Sequence, residues 1–131
     1  MNSANRIIKA PEVTPDTKAF WAACNAQVLS VGRCKNCTAA HYYPRALCPF
    51  CLSIDTVLEP VSGDARIYSY SVMRSAPEPY AIAFVTLAEG PTIMTNIVDC
   101  GFERIVIGAA VRPVFKPAED GNLVPMFALR D

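Results

Sequence analysis

Val31 to Leu52 reads V-G-R-C-K-N-C-T-A-A-H-Y-Y-P-R-A-L-C-P-F-C-L, with two C-x-x-C pairs, Cys34/Cys37 and Cys48/Cys51, separated by ten residues. Two residues between cysteines let one tight turn aim both sulfurs at one point. Two such turns facing each other supply a tetrahedron of thiolates, the arrangement that a structural Zn²⁺ takes. Disulfides within each pair are the weaker reading, because a bond between cysteines three residues apart is strained or redox-active. Four thiolates leave no open position on the ion, so the expected metal holds the fold and does no chemistry. His41 is the only histidine in the chain and sits between the pairs. With four cysteines filling the tetrahedron, it is expected to be a packed or surface residue and not a ligand.

Around this stretch the chain is short and neutral. Its 131 residues suit one domain, or a small module joined to a second. Hydrophobic residues make up 52% and charged residues 18%, a globular composition. Twelve basic residues balance twelve acidic ones, so the basic excess of a nucleic-acid binder is missing. Zero net charge with a high apolar fraction favours association with a partner, and a hetero-oligomer is expected. No apolar run reaches the length of a membrane span, and the first residues lack the apolar core of a signal peptide. Six cysteines without an export signal point to the reducing cytosol.

Upstream of the cysteines, residues 1–13 read as an extended arm, apolar at Ile7, Ile8 and Val13 but broken by Pro11. A helix is predicted over 15–28, with Thr14 as N-cap and Pro15 in the first turn. Phe20, Trp21, Cys24 and Val28 share one face of it. That face either packs on its own domain or docks a partner. So small a ribbon has little core for two large rings, so the arm, Phe20 and Trp21 are expected to form much of a partner contact. Residues 1–54 thus form arm, helix and ribbon.

Residues 55–131 change texture to short strands. These are predicted near 56–61, 65–74, 80–88, 92–98, 111–116 and 123–129, with turns at Ser62-Gly63-Asp64 and Glu89-Gly90-Pro91. Strands 80–88 and 92–98 read as a hairpin. Tyr68, Tyr70 and Val72 are placed on one face of their strand, with Ile67 on the other. Five or six short strands in this length favour a five-stranded oligonucleotide/oligosaccharide-binding (OB) barrel. The fold class is mainly β: an N-terminal helix and zinc ribbon, then a small barrel.

F-W in the helix, R-C-x-x-C, P-R-A-L-C-P-x-C, S-G-x-A-x-I-Y-S-Y, A-F-V-x-L-x-E-G-P, T-N-I-V and I-G-A-A-V-R-P-V-F follow one another in order. In this the chain closely resembles the OB-fold acyl-CoA-associated family, whose members carry a rubredoxin-like zinc ribbon before the barrel. The resemblance covers residues 16–130. It departs at Thr38 and Leu52, where the family usually has glycine to ease the knuckle's bend. The resemblance implies an accessory subunit beside a thiolase-like enzyme, or beside an acyl-CoA hydratase or aldolase. The partner would carry the cysteine and histidine chemistry, and the barrel would help hold the CoA thioester or bridge subunits.

The residue inventory points the same way. Outside the knuckles the only cysteines are Cys24 and Cys100, expected to be small buried thiols. No nucleophile elbow, phosphate loop or carboxylate pair appears, so no catalytic residue is assigned. Arg33, Lys35, Arg45, Arg66 and Arg74 are candidate contacts for CoA phosphates or acidic partner residues. Two other classes stay open. One is a stand-alone acyl-CoA or nucleic-acid binding module, stacking bases on Tyr68, Tyr70 and Tyr80. The other is a redox carrier with iron in the cysteine site.

Overall fold

The computed structural model describes residues 6–130. The first sheet belongs to the ribbon. Its central strand is β1 (Ser30–Cys34), flanked by β2 (Ala40–His41) and β3 (Thr56–Pro60). The sequence groups β3 with the barrel strands that follow it. Instead β3 pairs antiparallel with the whole of β1, from Ser30↔Pro60 to Cys34↔Thr56. Cys34 ends β1, so a full-length partner strand fixes where the first knuckle begins. Arg33 on β1 adds a salt bridge across the pair to Glu59 at 3.1 Å. The crossing to the barrel runs through Gly63 at φ +78°, where a Cβ would meet the Pro113 ring at 2.5 Å. Only glycine fits both that backbone and that space.

The second sheet is a closed five-stranded barrel in the order β4-β5-β6-β8-β7. Its strands are β4 (Ala65–Met73), β5 (Tyr80–Leu87), β6 (Thr92–Val98), β7 (Ala110–Pro117) and β8 (Leu123–Leu129). All neighbours are antiparallel except β6 and β8, which run parallel through Ile97↔Phe127 and Val98↔Ala128 and close the barrel. The hairpin of β5 and β6 is present as expected, turning at Gly90 with φ 121°. β5 alternates cleanly, with Ala81, Ala83, Val85 and Leu87 buried. Strand periodicity of two explains this.

β4 does not keep one phase. Ile67 pairs with Val85 and Ser69 with Phe84, so Tyr68 is an extra, bulged residue. Beyond the bulge Val72 stands opposite the buried Ala81 and packs on the core, as Ile67 does. Ile67 and Val72 therefore face the same way, which corrects the simple alternation. A bulge lets a strand bend sharply, and closing five strands into a barrel needs such a bend.

Helix α1 spans Lys18–Asn25, three residues later at its start than the sequence pattern indicates. The Thr14 N–H donates to Thr17 Oγ1 and the Thr17 N–H to the Thr14 carbonyl, winding 14–17 into a turn. Thr17, not Thr14, is the N-cap, without a side-chain cap bond. The helix ends when Gln27 takes φ 62°; Gln27 N–H bonds Cys24 O and Val28 N–H bonds Ala23 O. This paired closure satisfies the last carbonyls, which is why the chain turns away before residue 28.

Phe20 is 1% exposed, so it is a core residue and not a partner contact. Its ring meets Trp21, Tyr42 and Tyr43 edge-on at centroid distances of 5.0, 5.7 and 5.1 Å. Trp21 Nε1 donates to the Tyr43 hydroxyl at 2.6 Å. The ribbon alone could not bury these rings. It manages because the helix also lies against β8 and β1, so ribbon and barrel share one core. The described part of the arm likewise lies on its own barrel. The Arg6 guanidinium sits 3.8 Å over the Tyr80 ring, and the Glu119 N–H bonds the Ile8 carbonyl at 2.9 Å. Ile7 and Val13 stay exposed.

Phe20→Ala should destabilise the chain by about 3–5 kcal/mol, as for a fully buried aromatic. Ile7→Ala, at an exposed position, should change stability by less than about 0.5 kcal/mol. Urea unfolding followed by Trp21 fluorescence measures both.

Candidate metal centre

The two knuckles are near copies in backbone terms. In the first, Cys34 ends β1, the Cys37 N–H points at Cys34 Sγ at 3.4 Å, and the Thr38 N–H bonds the Cys34 carbonyl at 2.9 Å. In the second, the Phe50 N–H points at Cys48 Sγ at 3.4 Å and the Leu52 N–H bonds the Cys48 carbonyl at 3.0 Å. Thr38 and Leu52 both take φ 66°, the left-handed region. These are the positions where glycine would be at ease.

The folded chain brings Cys34, Cys37, Cys48 and Cys51 together, with all four sulfurs within 4.8 Å of one another. Cys34 and Cys51 are 3.6 Å apart, and Cys37 and Cys48 are 3.7 Å apart. A tetrahedron with metal–sulfur bonds of 2.3 Å has edges of about 3.8 Å, so the sulfurs fit one tetrahedral ion. Cys34 and Cys48 are buried, Cys37 is half-buried and Cys51 is exposed. The Asn36 side-chain amide donates to Cys51 Sγ at 3.6 Å, which with the Ser53 backbone pulls the Cys51 thiol down to about 6. Backbone N–H groups at Cys51 and Phe50 likewise lower Cys48. Donors aimed at sulfur favour the thiolate, the form a metal binds.

His41 is a packed residue, 4% exposed, and neither ring nitrogen has a hydrogen-bond partner. Its ring lies against Gly32, where a Cβ would come within 2.2 Å of Nε2. Burial lowers its pKa, and the nearby Arg45 charge lowers it further.

The remaining candidates are scattered. Cys24 is fully buried, and burial pushes its thiol up to about 12. Cys100 is buried too. The Arg33 guanidinium bonds Glu59 and the Thr38 carbonyl, while Arg74 lies 5.7 Å over the Phe102 ring. Lys35 is on the first knuckle, Arg45 on the finger beside His41, and Arg66 on the outside of β4. Arg33, Lys35 and Arg45 belong to the ribbon and Arg66 and Arg74 to the barrel side, so the five do not form one cluster. Tyr68 and Tyr70 are exposed, but Tyr80 is covered by Arg6.

One surface escaped the sequence reading. The outer face of β4–β5–β6 exposes Tyr68, Met73, Phe84 and Met94, while Tyr70, opposite the buried Ala83, is exposed on the other phase of β4. The register aligns Ser69, Phe84 and Met94 in one cross-strand row and Ser71, Ile82 and Asn96 in the next; neither row has a charged residue of its own, but the Arg6 guanidinium reaches Asn96 Oδ1 at 3.3 Å. The outward phase of β5 was the available signal. The bulge in β4 hid the rest.

Two outcomes test the ribbon's construction. Leu52 is 68% exposed at a left-handed position, so Leu52→Gly should stabilise the second knuckle by about 1 kcal/mol and slow metal loss to a chelator. His41 is held neutral, so its share of stability is full above the ordinary histidine pKa near 6.5 and is lost as pH falls through the lowered folded value. His41→Phe should therefore lose less thermal stability than the native chain between pH 7 and pH 5.

Comparisons with known proteins agree with this architecture. A family model described as the ChsH2 rubredoxin-like zinc ribbon domain matches residues 21–55. Another, described as the ChsH2 C-terminal OB-fold domain, matches residues 58–116. A DUF35 domain-containing scaffold protein of Methanocaldococcus jannaschii is 40% identical over 112 residues, covering 78% of this chain and 79% of that protein. A probable enoyl-CoA hydratase alpha subunit of Thermomonospora curvata is 30% identical over 125 residues, 82% of this chain but 39% of that longer protein. Among solved structures, the Ltp2-ChsH2(DUF35) aldolase matches with TM-score 0.82 and 29% identity over 92% of this chain and 98% of that one. A four-cysteine ribbon sharing its core with a closed five-stranded barrel, joined to these likenesses, makes the chain a member of the DUF35 family of ChsH2-type zinc-ribbon and OB-fold scaffold proteins.

Proposed function

We propose that this chain is a non-catalytic scaffold subunit that docks a thiolase-like enzyme, or an aldolase or hydratase of similar substrate range, and supports its chemistry on CoA thioesters. The apolar face of β4–β5–β6 is the observation that carries this reading. Interface cores are enriched in aromatic residues and methionine, which describes Tyr68, Met73, Phe84 and Met94. The reactive side chains support the same reading: Cys24, Cys100 and His41 are all buried, so none can meet a substrate as the chain stands. Acyl transfer or carbon–carbon bond formation and cleavage then belong to the partner. One Zn²⁺ held by Cys34, Cys37, Cys48 and Cys51 would serve as a closed structural centre. It would hold the ribbon as a rigid arm of the complex. No helix among the described residues is long and apolar enough to cross a membrane. We place the complex in the cytosol, where thiolates persist for metal binding.

Phe84→Asp and Met94→Asp should each weaken assembly with the partner enzyme by at least about 2 kcal/mol, since a charge would be buried in the interface core. Their thermal midpoints and zinc content should match the native chain. Titration with a purified thiolase-like, aldolase or hydratase partner checks the affinities. Unchanged affinity in both variants would move the interface off this face.

A further inference from the structure

The arm ahead of the helix crosses the margin of the β5–β6 face and is held there at two places. At the first, the Arg6 guanidinium sits 3.8 Å over the Tyr80 ring, and its Nη1 donates to Asn96 Oδ1 at 3.3 Å. At the second, Glu119 between β7 and β8 ties the arm's backbone twice. Its N–H bonds the Ile8 carbonyl at 2.9 Å, and its carboxylate accepts from the Ala10 N–H at 3.0 Å. Ile7, between the two, is 80% exposed, so its side chain adds no packing to these polar ties. Pro11 follows at once and keeps the segment out of regular structure.

Arg6 also forms part of the wall of a cleft of about 320 Å³, together with Tyr80, Ile82 and Met94 of the barrel, Pro125 of β8 and Trp21 of the helix. Ile82 and Met94 belong both to this cleft and to the outer rows of β5 and β6, so cleft and docking face are continuous. No carboxylate among the described residues pairs with Arg6. Its charge rests on a ring face and one amide oxygen, contacts that are individually weak where water has access. An enzyme settling on Ile82, Met94 and Asn96 with the arm in place would bury that guanidinium without an ion-pair partner. Burying an unpaired charge costs more than such contacts return. Moving the arm aside removes the cost, and only a few polar ties have to break.

We propose that residues 6–10 are a displaceable strap. In the free chain they cover the margin of the docking face, and they lift off Tyr80 and Asn96 when the partner enzyme docks. Arm and enzyme therefore compete for the same ground, and the enzyme's apparent affinity is lowered by the fraction of chains whose face is covered. In the free chain the strap also sets a positive charge beside an apolar face of a neutral protein, which disfavours self-association. This inference rests on the docking face of β4–β5–β6 and adds a regulation to it.

Arg6→Ala in the full chain tests the strap with and without the partner. Trp21 is the only tryptophan and lines the same cleft. Acrylamide quenching of its fluorescence should rise in the variant as the cleft opens, at an unchanged thermal midpoint. Titrated with a purified thiolase-like, aldolase or hydratase partner, Arg6→Ala should bind about fivefold more tightly, mainly through faster association, because no chains are left with a covered face. Glu119→Ala cuts the second tie and should act in the same direction. In the native complex, amide hydrogen exchange should speed up over residues 6–10 while it slows over β5 and β6. Weaker assembly of Arg6→Ala, or added protection of residues 6–10 in the complex, would make the arm part of the interface and overturn the strap. Unchanged quenching with unchanged affinity would overturn it too. In each of these cases weakened assembly of Phe84→Asp keeps the docking face. If Phe84→Asp and Met94→Asp both bind as the native chain does, docking face and strap fall together.

Discussion

A ribbon of about thirty residues buries too little apolar surface to fold on that alone. What holds this one is a core shared with the barrel, and Phe20 stands at the junction. Its ring touches Trp21, Tyr42 and Tyr43, while its helix lies against β8 and β1. Leu29 and Val31 continue the same buried cluster into the barrel residues Ile67, Val85 and Phe127. Small ties reinforce the junction. Asn25 bonds the β7–β8 turn through Asn122 and the Leu123 N–H, and Gly63 lets the crossover press against Pro113. The metal knuckles hang from the far end of β1, so their position relative to the barrel follows from this core.

The ribbon's electrostatics suit a structural centre. Backbone and Asn36 donors favour thiolates at Cys48 and Cys51, and the chain bends both knuckles through left-handed residues that are not glycine. Such strain persists only where surrounding bonds over-determine it. Here the paired backbone bonds from Thr38 to Cys34 and from Leu52 to Cys48 provide that constraint.

Polarity divides the barrel surface into unlike faces. The outer side of β4–β5–β6 is apolar at Tyr68, Phe84 and Met94, with arginines Arg6, Arg66 and Arg74 at its margins. The seam of β4, β7 and the end of β8 is lined by alanines, Arg66 and the Arg130–Asp64 pair. The barrel is closed, whereas the ribbon sheet keeps β2 and β3 as open edges.

Read alone, the residues settled the elements with strong local signals. Two C-x-x-C pairs set the knuckles, and period-two alternation placed the five barrel strands within a residue or two. Both signals work because they reflect local geometry: a tight turn in one case, the pleat in the other. The sheet to which β3 belongs, the bulge at Tyr68 and the helix start at Lys18 were not legible. Each depends on a partner distant in sequence: β1 for β3, β5 for the bulge, and the tertiary core for the helix. The burial of Phe20 was misjudged for the same reason, since its neighbours Tyr42 and Tyr43 lie on another element. Arg66 and Arg130 are 64 residues apart, and no spacing rule joins them. Only the register of β4, β7 and β8 sets them on either side of Ala110, because hydrogen-bonded strands align side chains by pairing and not by sequence distance.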